Sequence, residues 1–561
     1  MIDRHLRHVA VRAAVAAFAL VGSAVPAPAA RPRIYALTGA TVVPAPGQKL
    51  EGGTVILRDG LIEAVGKDVR IPADAVTIDA KGMYVYPGLI DAGGWSPASD
   101  APPAGGAPDR QRPPRREAEP GPVYPLALVR PERRAADTLQ AFDGDRKRDA
   151  EGWRKLGFTT LLAAPTKGIF RGTGALILLA DDTAVTDLIV RDDVAAFAAF
   201  ETTGGFGEGY PTSLMGAAAA MRQTLLDAQR FAVWTDRYAR NPVGMPRPER
   251  APALQALQPV LSAKQPLYLE AAAADDVLLA DRIAREFGLD LVVIASGTES
   301  EIAAQIAKTG RTVIYPARIP DKPKVDDADE ALDVSLKEMR RYLDAAAAPK
   351  ILRDAGATVV LSAHGLKNSA DFPGNVRKMI DAGFPEDAAL AALTTGPAKL
   401  LGVARTMGTI EPGKIANIVV ADGPLFGKDT KVRRVFVDGT DYPVEEKAKP
   451  KGDPNAVVDP RGTWSVAIEL SGQTLQRTWT IAGTKDHYTG TAETRSGTVT
   501  FDKVELAGNA LTVTFPASEG RGANEVTVIV TGESFEGSIE MGPRSAPVKG
   551  TRTQRPDGGA R

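Results

Sequence analysis

Apolar and polar positions alternate over short distances near the start of the chain, and this pattern predicts β-strands between residues 34 and 85. Gly, Pro and Asp separate the apolar runs, which read RIYALTGATVV, GGTVILRDGLIEAVG and AVTIDAKGMYVY. Such runs between turn residues are typical of a small β-sheet. The next segment, residues 96–125, is rich in Pro, Gly and charge with few apolar positions, which predicts a mobile surface excursion.

Beyond residue 125 the pattern changes to near-continuous apolar strands that alternate with amphipathic helices. The clearest strands read GFTTLLAAP, PLYLEAAA, DLVVIASG, RTVIYPA and ATVVLSAHG. This alternation predicts a parallel sheet covered by helices, and residues 88–402 have room for a (β/α)8 TIM-like barrel, although an open doubly wound sheet has the same periodicity. Within this region, RGTGALILLADDTAVTDLIV is predicted to be an inserted hairpin.

Strand patterns return after the barrel region. Residues 403–441 again contain short apolar runs and turns, and residues 442–457 have the composition of a linker. Residues 458–550 contain several short alternating strands with Gly or Asn turns, which predicts a separate antiparallel β-barrel or sandwich. Trp464 and Trp479 lie in these strands and are expected in its core. The tail, residues 551–561, is predicted to be disordered.

The first 29 residues have the pattern of a secretory signal. Arg4, Arg7 and Arg12 precede the apolar run AAVAAFALVGSAV, and Ala27-Pro28-Ala29 supplies a cleavage pattern. We therefore expect residues 1–29 to be a signal peptide and the mature protein to be periplasmic or secreted in a bacterium. An amphipathic or disordered leader is the alternative.

Composition narrows the chemistry. The chain has 68 Lys and Arg against 69 Asp and Glu, so its charge gives no reason to expect nucleic acid or a membrane surface as a partner after signal cleavage. It has no cysteine, which excludes disulfides, thiolate metal sites and cysteine nucleophiles. Of its four histidines, only His364 and His487 would remain after signal removal, so no site that needs three histidines can be built.

Motifs at both ends of the barrel region resemble the amidohydrolase superfamily. They read GGTVILRDGLIEAVG, AKGMYVYPGLIDA, AALAALTTGPAKLLGVARTMGTIEPGKIANIVVAD and VRRVFVDG, and the resemblance covers residues 34–440. It implies a composite β-sandwich, with residues 30–87 and 403–441 as its halves, split by a barrel that holds divalent metal and hydrolyses non-peptide C–N bonds.

The metal-ligand positions of this family are changed in the chain. The H-x-H positions at the first strand hold Gly93 and Trp95, the fifth-strand histidine position holds Glu270, the sixth falls near Ser296, and the eighth-strand aspartate position falls at Ala363 or His364. A catalytic metal generally needs three protein ligands, and Glu270 with His364 supply two. We therefore expect no metal and no other cofactor.

Glu270 and His364 are the candidate catalytic residues. Both should lie at the C-terminal mouth of the barrel, where a carboxylate orienting an imidazole makes a workable acid/base pair. The alternative is a solvated carboxylate and a hydrogen-bonded loop histidine. Trp95 and Ser296 are the candidate ligand-binding residues, although Trp95 could simply fill the vacated metal space. Ser296 could be a nucleophile or a structural serine, and it lies outside any G-x-S-x-G motif.

Asp91 and Ser362 also lie at ends of predicted barrel strands. Asp91 is expected to be structural, and Ser362, like Ser296, is a nucleophile candidate without the G-x-S-x-G motif. The stretch GIFRGTG, residues 168–174, is predicted to be a glycine-rich turn rather than an anion cradle beneath Arg171, because it has no Lys-Ser/Thr after its glycines.

The sequence therefore predicts an exported, degenerate amidohydrolase-like protein that binds a small molecule at the barrel mouth. A metal-independent hydrolase using Glu270 and His364, or a subunit completed by a metal-bearing partner in a homo- or hetero-oligomer, are the alternatives.

Overall fold

The computed structural model describes residues 34–95, 124–142, 146–203, 209–323, 325, 331–366, 368–444, 452–470, 473–484, 487–494, 497–515, 525–541 and 544–555. The predicted signal peptide, almost all of the predicted excursion, part of the linker and residues 556–561 of the tail lie outside these residues. The prediction of a disordered tail was wrong over residues 551–554, which belong to the strand Arg544–Gln554. Within the described part of the chain, no helix is both long enough and apolar enough to cross a bilayer.

The described strands, numbered in chain order, fall into three sheets. They are β1 (Ile34–Val42), β2 (Leu50–Arg58), β3 (Leu61–Gly66), β4 (Val76–Asp79), β5 (Tyr84–Pro87), β6 (Leu89–Trp95), β7 (Phe158–Ala163), β8 (Phe170–Leu178), β9 (Ile189–Ala199), β10 (Leu267–Glu270), β11 (Leu291–Ile294), β12 (Thr312–Pro316), β13 (Thr358–Ser362), β14 (Ile418–Ala421), β15 (Val432–Val437), β16 (Thr440–Pro443), β17 (Gly462–Leu470), β18 (Gln473–Thr484), β19 (His487–Thr494), β20 (Gly497–Thr500), β21 (Lys503–Ala507), β22 (Ala510–Thr514), β23 (Glu525–Thr531), β24 (Ser534–Met541) and β25 (Arg544–Gln554).

The described α-helices lie between the barrel strands or follow them. They are Ala135–Thr138, Lys147–Lys155, Val185–Leu188, Leu214–Arg240, Pro252–Ala256, Gln258–Leu261, Ala274–Phe287, Ala303–Thr309, Leu336–Asp344, Ala348–Asp354, Phe372–Asp381, Glu386–Leu393 and Thr395–Leu400.

The first sheet is built from both flanks of the barrel. Its strands follow the order β16-β15-β14-β5-β1-β2-β3. In addition, β4 pairs in parallel with residues 35–38 of β1. The central pairing is between β5 and β14, where Tyr86 lies opposite Val419 although 333 positions separate them in the sequence. The two ends of the chain segment therefore form one β-structure, which confirms the composite arrangement expected from the sequence.

The second sheet forms the barrel, with its strands in the order β13-β12-β11-β10-β9-β8-β7-β6. Its two ends lie side by side, since the Ser362 hydroxyl on β13 donates to the Asp91 carboxylate on β6 at 2.6 Å. Every residue of β7 is buried, as expected for a strand covered on both faces. Interior side chains such as Phe197 and Tyr268, whose ring centroids lie 5.4 Å apart, fill the lumen. The TIM-like barrel is confirmed.

One strand of the barrel runs against the others. β8 is antiparallel to both β7 and β9, and the other pairings of the sheet are parallel. The predicted hairpin is therefore part of the barrel wall rather than an insertion. The prediction of a turn at GIFRGTG was wrong over residues 170–174, which lie in β8. Gly172 in this stretch is explained by close packing rather than by a turn. A Cβ at this position would lie 2.3 Å from the backbone oxygen of Arg133, because a neighbouring segment packs directly against the strand.

The third sheet is a closed antiparallel barrel. Its path runs β18-β17-β25-β24-β23-β22-β21-β19, and a β18–β19 pairing joins the ends. Trp464 and Trp479 are fully buried in its interior, and each packs on Phe535. The predicted C-terminal all-β domain and its tryptophan core are confirmed, and of the two architectures expected the barrel is observed.

Candidate functional site

The C-terminal ends of the barrel strands bring the predicted site residues to one rim. Trp95 and Glu270 are the last residues of β6 and β10, and Ser296 and His364 follow β11 and β13 by two positions. Strand ends of a parallel barrel form the mouth where ligands bind in this fold. All four predicted residues therefore lie at the mouth, but they are distributed over two adjoining cavities.

A row of alternating charges crosses the mouth. The Glu270 Oε1 atom lies 3.2 Å from His364 Nε2, and the Glu270 Oε2 atom accepts a hydrogen bond from Arg171 Nη1. On its other side the Arg171 Nη2 atom lies 3.5 Å from the Glu201 Oε2 atom. Arg171 was not among the predicted site residues, and it occupies the centre of this row.

The surroundings of His364 define its protonation. Its Nδ1 atom lies 2.9 Å from the carbonyl oxygen of Gly94, and a carbonyl can only accept, so Nδ1 carries a proton. Its Nε2 atom faces the Glu270 carboxylate, which when ionised also only accepts. Burial lowers the pKa of His364, but the hydrogen bond and charge of Glu270 outweigh burial and raise it above the usual value. Both ring nitrogens thus face acceptors, and the raised pKa extends the pH range over which the ring is an imidazolium.

Glu270 is held in its ionised form. Burial by itself raises the pKa of this carboxyl, but the hydrogen bond from His364 and the charge of Arg171 outweigh burial and lower the pKa to about 2. An efficient general base has a pKa near the working pH, and one lowered this far is a weak base. While its imidazole is protonated, His364 thus forms an ion pair with an ionised Glu270 that is too weak a base for efficient proton transfer.

Asp91 and Ser362 form a buried support beneath the mouth. The Asp91 carboxylate accepts hydrogen bonds from Gly93 N at 2.7 Å, Ser362 Oγ at 2.6 Å and Ala363 N at 2.8 Å. The Ser362 hydroxyl in turn accepts from His364 N at 2.9 Å. Because its one proton is donated to a buried carboxylate, Ser362 ties the end of β13 to β6 and positions the backbone of His364.

Ser296 is held by a buried carboxylate. The Glu299 side chain is fully buried and accepts from Ser296 N at 2.7 Å, Ser296 Oγ at 2.8 Å and Gly297 N at 2.8 Å. The serine hydroxyl therefore shapes the loop, and the Ser296 carbonyl oxygen accepts from Arg318 Nη2. Ser296 also lines a cavity of about 220 Å³ at the mouth, where Glu270, Arg318 and His364 are among its neighbours.

Trp95 lines another cavity, of about 240 Å³, on the other side of His364. Its ring packs on Phe142 with centroids 6.1 Å apart, so part of the indole is fixed in the protein interior. The rest of the lining includes Trp153, Leu162 and Leu366. Trp95 thus fills space at the strand end and also forms part of the wall of a cavity, so it has features of both predicted roles.

The residues at the mouth do not fit the divalent metal that the amidohydrolase resemblance implies. A Cβ on Gly93 would lie 2.0 Å from Ser362 Oγ and 2.7 Å from His364 Cβ, so these packed side chains leave no room for a ligating side chain there. Both oxygens of Glu270 are engaged, one by the Arg171 guanidinium. A divalent ion about 4 Å from that guanidinium would be repelled by roughly 8 kcal/mol at an effective dielectric constant of about 20. Among the described residues, no cluster of three or more His, Asp or Glu side chains could hold a metal ion.

Two site residues, Arg171 and Arg318, were missed as members of the site. In the sequence, Arg171 belongs to a stretch that predicts a glycine-rich turn. The strand direction that brings it to the mouth cannot be predicted from the pattern of apolar residues. Arg318 follows β12 by two residues, so its place after a barrel strand was the available signal.

Comparisons with known proteins agree with this fold. The family model described as amidohydrolase family matches residues 266–441. The amidohydrolase tasK of Hapsidospora irregularis is 32% identical over 133 residues, which are 23% of this chain and 14% of that protein, so the match spans a small part of that relative. The crystal structure of an amidohydrolase from Thermotoga maritima is similar over 72% of this chain and 99% of its own, with a TM-score of 0.58 and 24% identity. This last likeness concerns the fold.

Proposed function

We propose that this chain is an exported, degenerate relative of the amidohydrolase family, whose model matches residues 266–441, and that it binds a small molecule at the barrel mouth without metal-dependent hydrolysis. One observation carries the proposal: the Arg171 guanidinium bonds to Glu270 and supplies the positive charge beside that carboxylate. A resident cation and a divalent metal compete for the same carboxylate, and the guanidinium is covalently part of the protein.

A metal-independent hydrolase that uses Glu270 and His364 is the second candidate. The contact of 3.2 Å between Nε2 and Oε1 favours it, because general acid/base groups must lie within hydrogen-bonding reach. Against it, both ring nitrogens of His364 face acceptors, and the pKa of Glu270 is lowered to about 2. We therefore rank binding first and hydrolysis second.

Metal analysis of the full chain tests the proposal. The protein is purified without chelator beside a metal-containing amidohydrolase, and the metal content of both is measured. Both are then assayed on cyclic amides and dipeptides with and without zinc. We expect metal far below one equivalent, no stabilisation by zinc and no turnover. Metal near one equivalent with zinc-dependent turnover would overturn the proposal.

The same assays separate the alternatives. Zinc-independent turnover that disappears in both Glu270→Gln and His364→Gln would establish the second candidate. Turnover and metal that appear only with a co-purifying protein would establish a completing partner. Export is tested separately, by mass spectrometry of the mature chain from a bacterial host. Loss of residues 1–29 is expected, and an intact N-terminus in the cytoplasmic fraction would contradict it.

A further inference from the structure

The mouth of the barrel contains two chambers that meet at one residue pair. The first, of about 240 Å³, and the second, of about 220 Å³, are both lined by His364 and Gly365. Small-molecule sites commonly enclose roughly 300–1,000 Å³. Each chamber alone is below that range, so an occupant of ordinary size would extend through both.

The two chambers differ in chemistry. The first has the indoles of Trp95 and Trp153 and the side chain of Leu162 in its wall, together with the buried Asp91. The second is lined by Glu270, Ser296 and Arg318. An apolar or aromatic group therefore fits the first chamber. An anionic group is disfavoured there, because Asp91 lies in the wall.

Arg318 provides the charge that selects a ligand in the second chamber. Its Nη2 atom donates to the Ser296 carbonyl oxygen, and the guanidinium lies between two glycines. A Cβ on Gly297 would be 3.6 Å from Nη2, and one on Gly365 would be 3.9 Å from Nη1. The side chain is exposed, and within the described part of the chain no carboxylate forms an ion pair with it.

The other charges of the second chamber are already matched. Glu270 is bonded to both Arg171 and His364, and Arg171 also meets Glu201. Among the described residues, Arg318 is thus a cation without a paired carboxylate, in a chamber whose own carboxylate, Glu270, has two partners. A guanidinium in this state binds carboxylates, sulfonates and phosphates through paired N–H donors.

We propose that the mouth binds an organic anion with an apolar body, its anionic group on Arg318 in the second chamber and its body beside Trp95 and Trp153 in the first. In this proposal the ligand extends past His364 and Gly365, the two residues that line both chambers. This inference rests on the proposed function, since it assigns a ligand class to the same metal-free mouth.

Three matched probes test the ligand class by titration calorimetry: 4-phenylbutyrate has both features, 4-phenylbutan-1-ol has no charge, and butyrate has no ring. We expect 4-phenylbutyrate to bind roughly tenfold or more tightly than either of the others, because charge-assisted hydrogen bonds and ring burial act together. Equal binding of the acid and the alcohol, or no saturable binding of 4-phenylbutyrate at millimolar concentration, would overturn the proposal.

Variants locate the binding. Arg318→Gln should weaken 4-phenylbutyrate roughly tenfold and leave 4-phenylbutan-1-ol unchanged, whereas Arg318→Lys should keep part of the preference for the acid. Arg340→Gln, an exposed arginine on the helix Leu336–Asp344, is the matched control and should change neither. Circular dichroism checks that each variant is folded. Equal effects of Arg318→Gln and Arg340→Gln would refute the assignment to this chamber.

The metal content of the same protein batches keeps the two proposals apart. A metal-free protein that binds the acid no better than the alcohol would refute the ligand class and leave the proposed function intact. A stoichiometric metal would refute the proposed function whatever the probes do.

Discussion

Replacing Arg171 by methionine should destabilise the barrel, because the half-buried carboxylate of Glu270 would then keep one charged partner in place of two. The Arg171 side chain is 10% exposed and that of Glu270 is 34% exposed. Methionine retains most of the apolar stem that packs in the wall, so the loss of the guanidinium is the main change.

The size of the effect follows from burial. Removing one partner of a fully buried ion pair costs about 3–5 kcal/mol, and an exposed pair is worth about 0–1 kcal/mol. Since a third of the Glu270 side chain is open to solvent, the expected loss lies between these values, at about 2–3 kcal/mol. The double variant Arg171→Met with Glu270→Leu should recover part of this loss, because it also removes the carboxylate that the guanidinium balances.

Hydrogen exchange of the strand Leu267–Glu270 measures the free energy of opening of the barrel without assuming that the whole chain unfolds in one step. Arg222→Gln is the matched control. Arg222 pairs with Glu286 at 2.7 Å, and the two side chains are 35% and 46% exposed. It should cost less than about 1 kcal/mol. If Arg171→Met lowers the free energy of opening no more than Arg222→Gln does, the Arg171 guanidinium does not stabilise the barrel by balancing the charge of Glu270.

Three further predictions concern single positions. His364→Gln should destabilise most below about pH 6.5 and progressively less above it, since a raised pKa stabilises the fold while the ring is protonated and Glu270, with its pKa about 2, stays ionised; urea denaturation across pH measures this, and a pH-independent difference would contradict it. Glu299→Ala should cost about 2–3 kcal/mol by leaving the Ser296 amide without its acceptor, measured by hydrogen exchange of that loop, and normal protection would refute it. Gly93→Ala should cost more than about 2 kcal/mol in denaturation, because its Cβ would meet a buried hydroxyl at 2.0 Å, and near-parent stability would show that the strands can separate.

Much of the fold could be predicted from apolar patterning. The strands β10 to β13 fall inside the predicted runs, because parallel strands buried on both faces leave continuous apolar segments in the sequence. The direction of β8 could not be predicted in the same way. Its nine residues are all buried, and a buried run has the same composition whichever way it enters the sheet.

The candidate site could be predicted where its residues end a strand. Glu270 and His364 stand at metal-ligand positions of the amidohydrolase resemblance, which end barrel strands, and the structure places them in contact. Their protonation could not be predicted, because it depends on the Gly94 carbonyl and on Arg171, which lies 99 positions from its partner Glu270. Ser296 was assigned to ligand binding by position, and its hydroxyl is instead taken up by a glutamate three residues later.

The antiparallel course of β8 and the charge balance of the mouth have one physical origin. In a parallel strand the last residues reach the mouth, whereas in β8 the first residues do, and Arg171 is the second residue of that strand. Reversal of the strand therefore brings a guanidinium to a place where a parallel strand would bring its other end. Once there, it supplies beside Glu270 a charge that a metal would otherwise provide, and a second cation becomes unfavourable. The strand reversal and the unsuitability of the mouth for metal are thus expected to occur together.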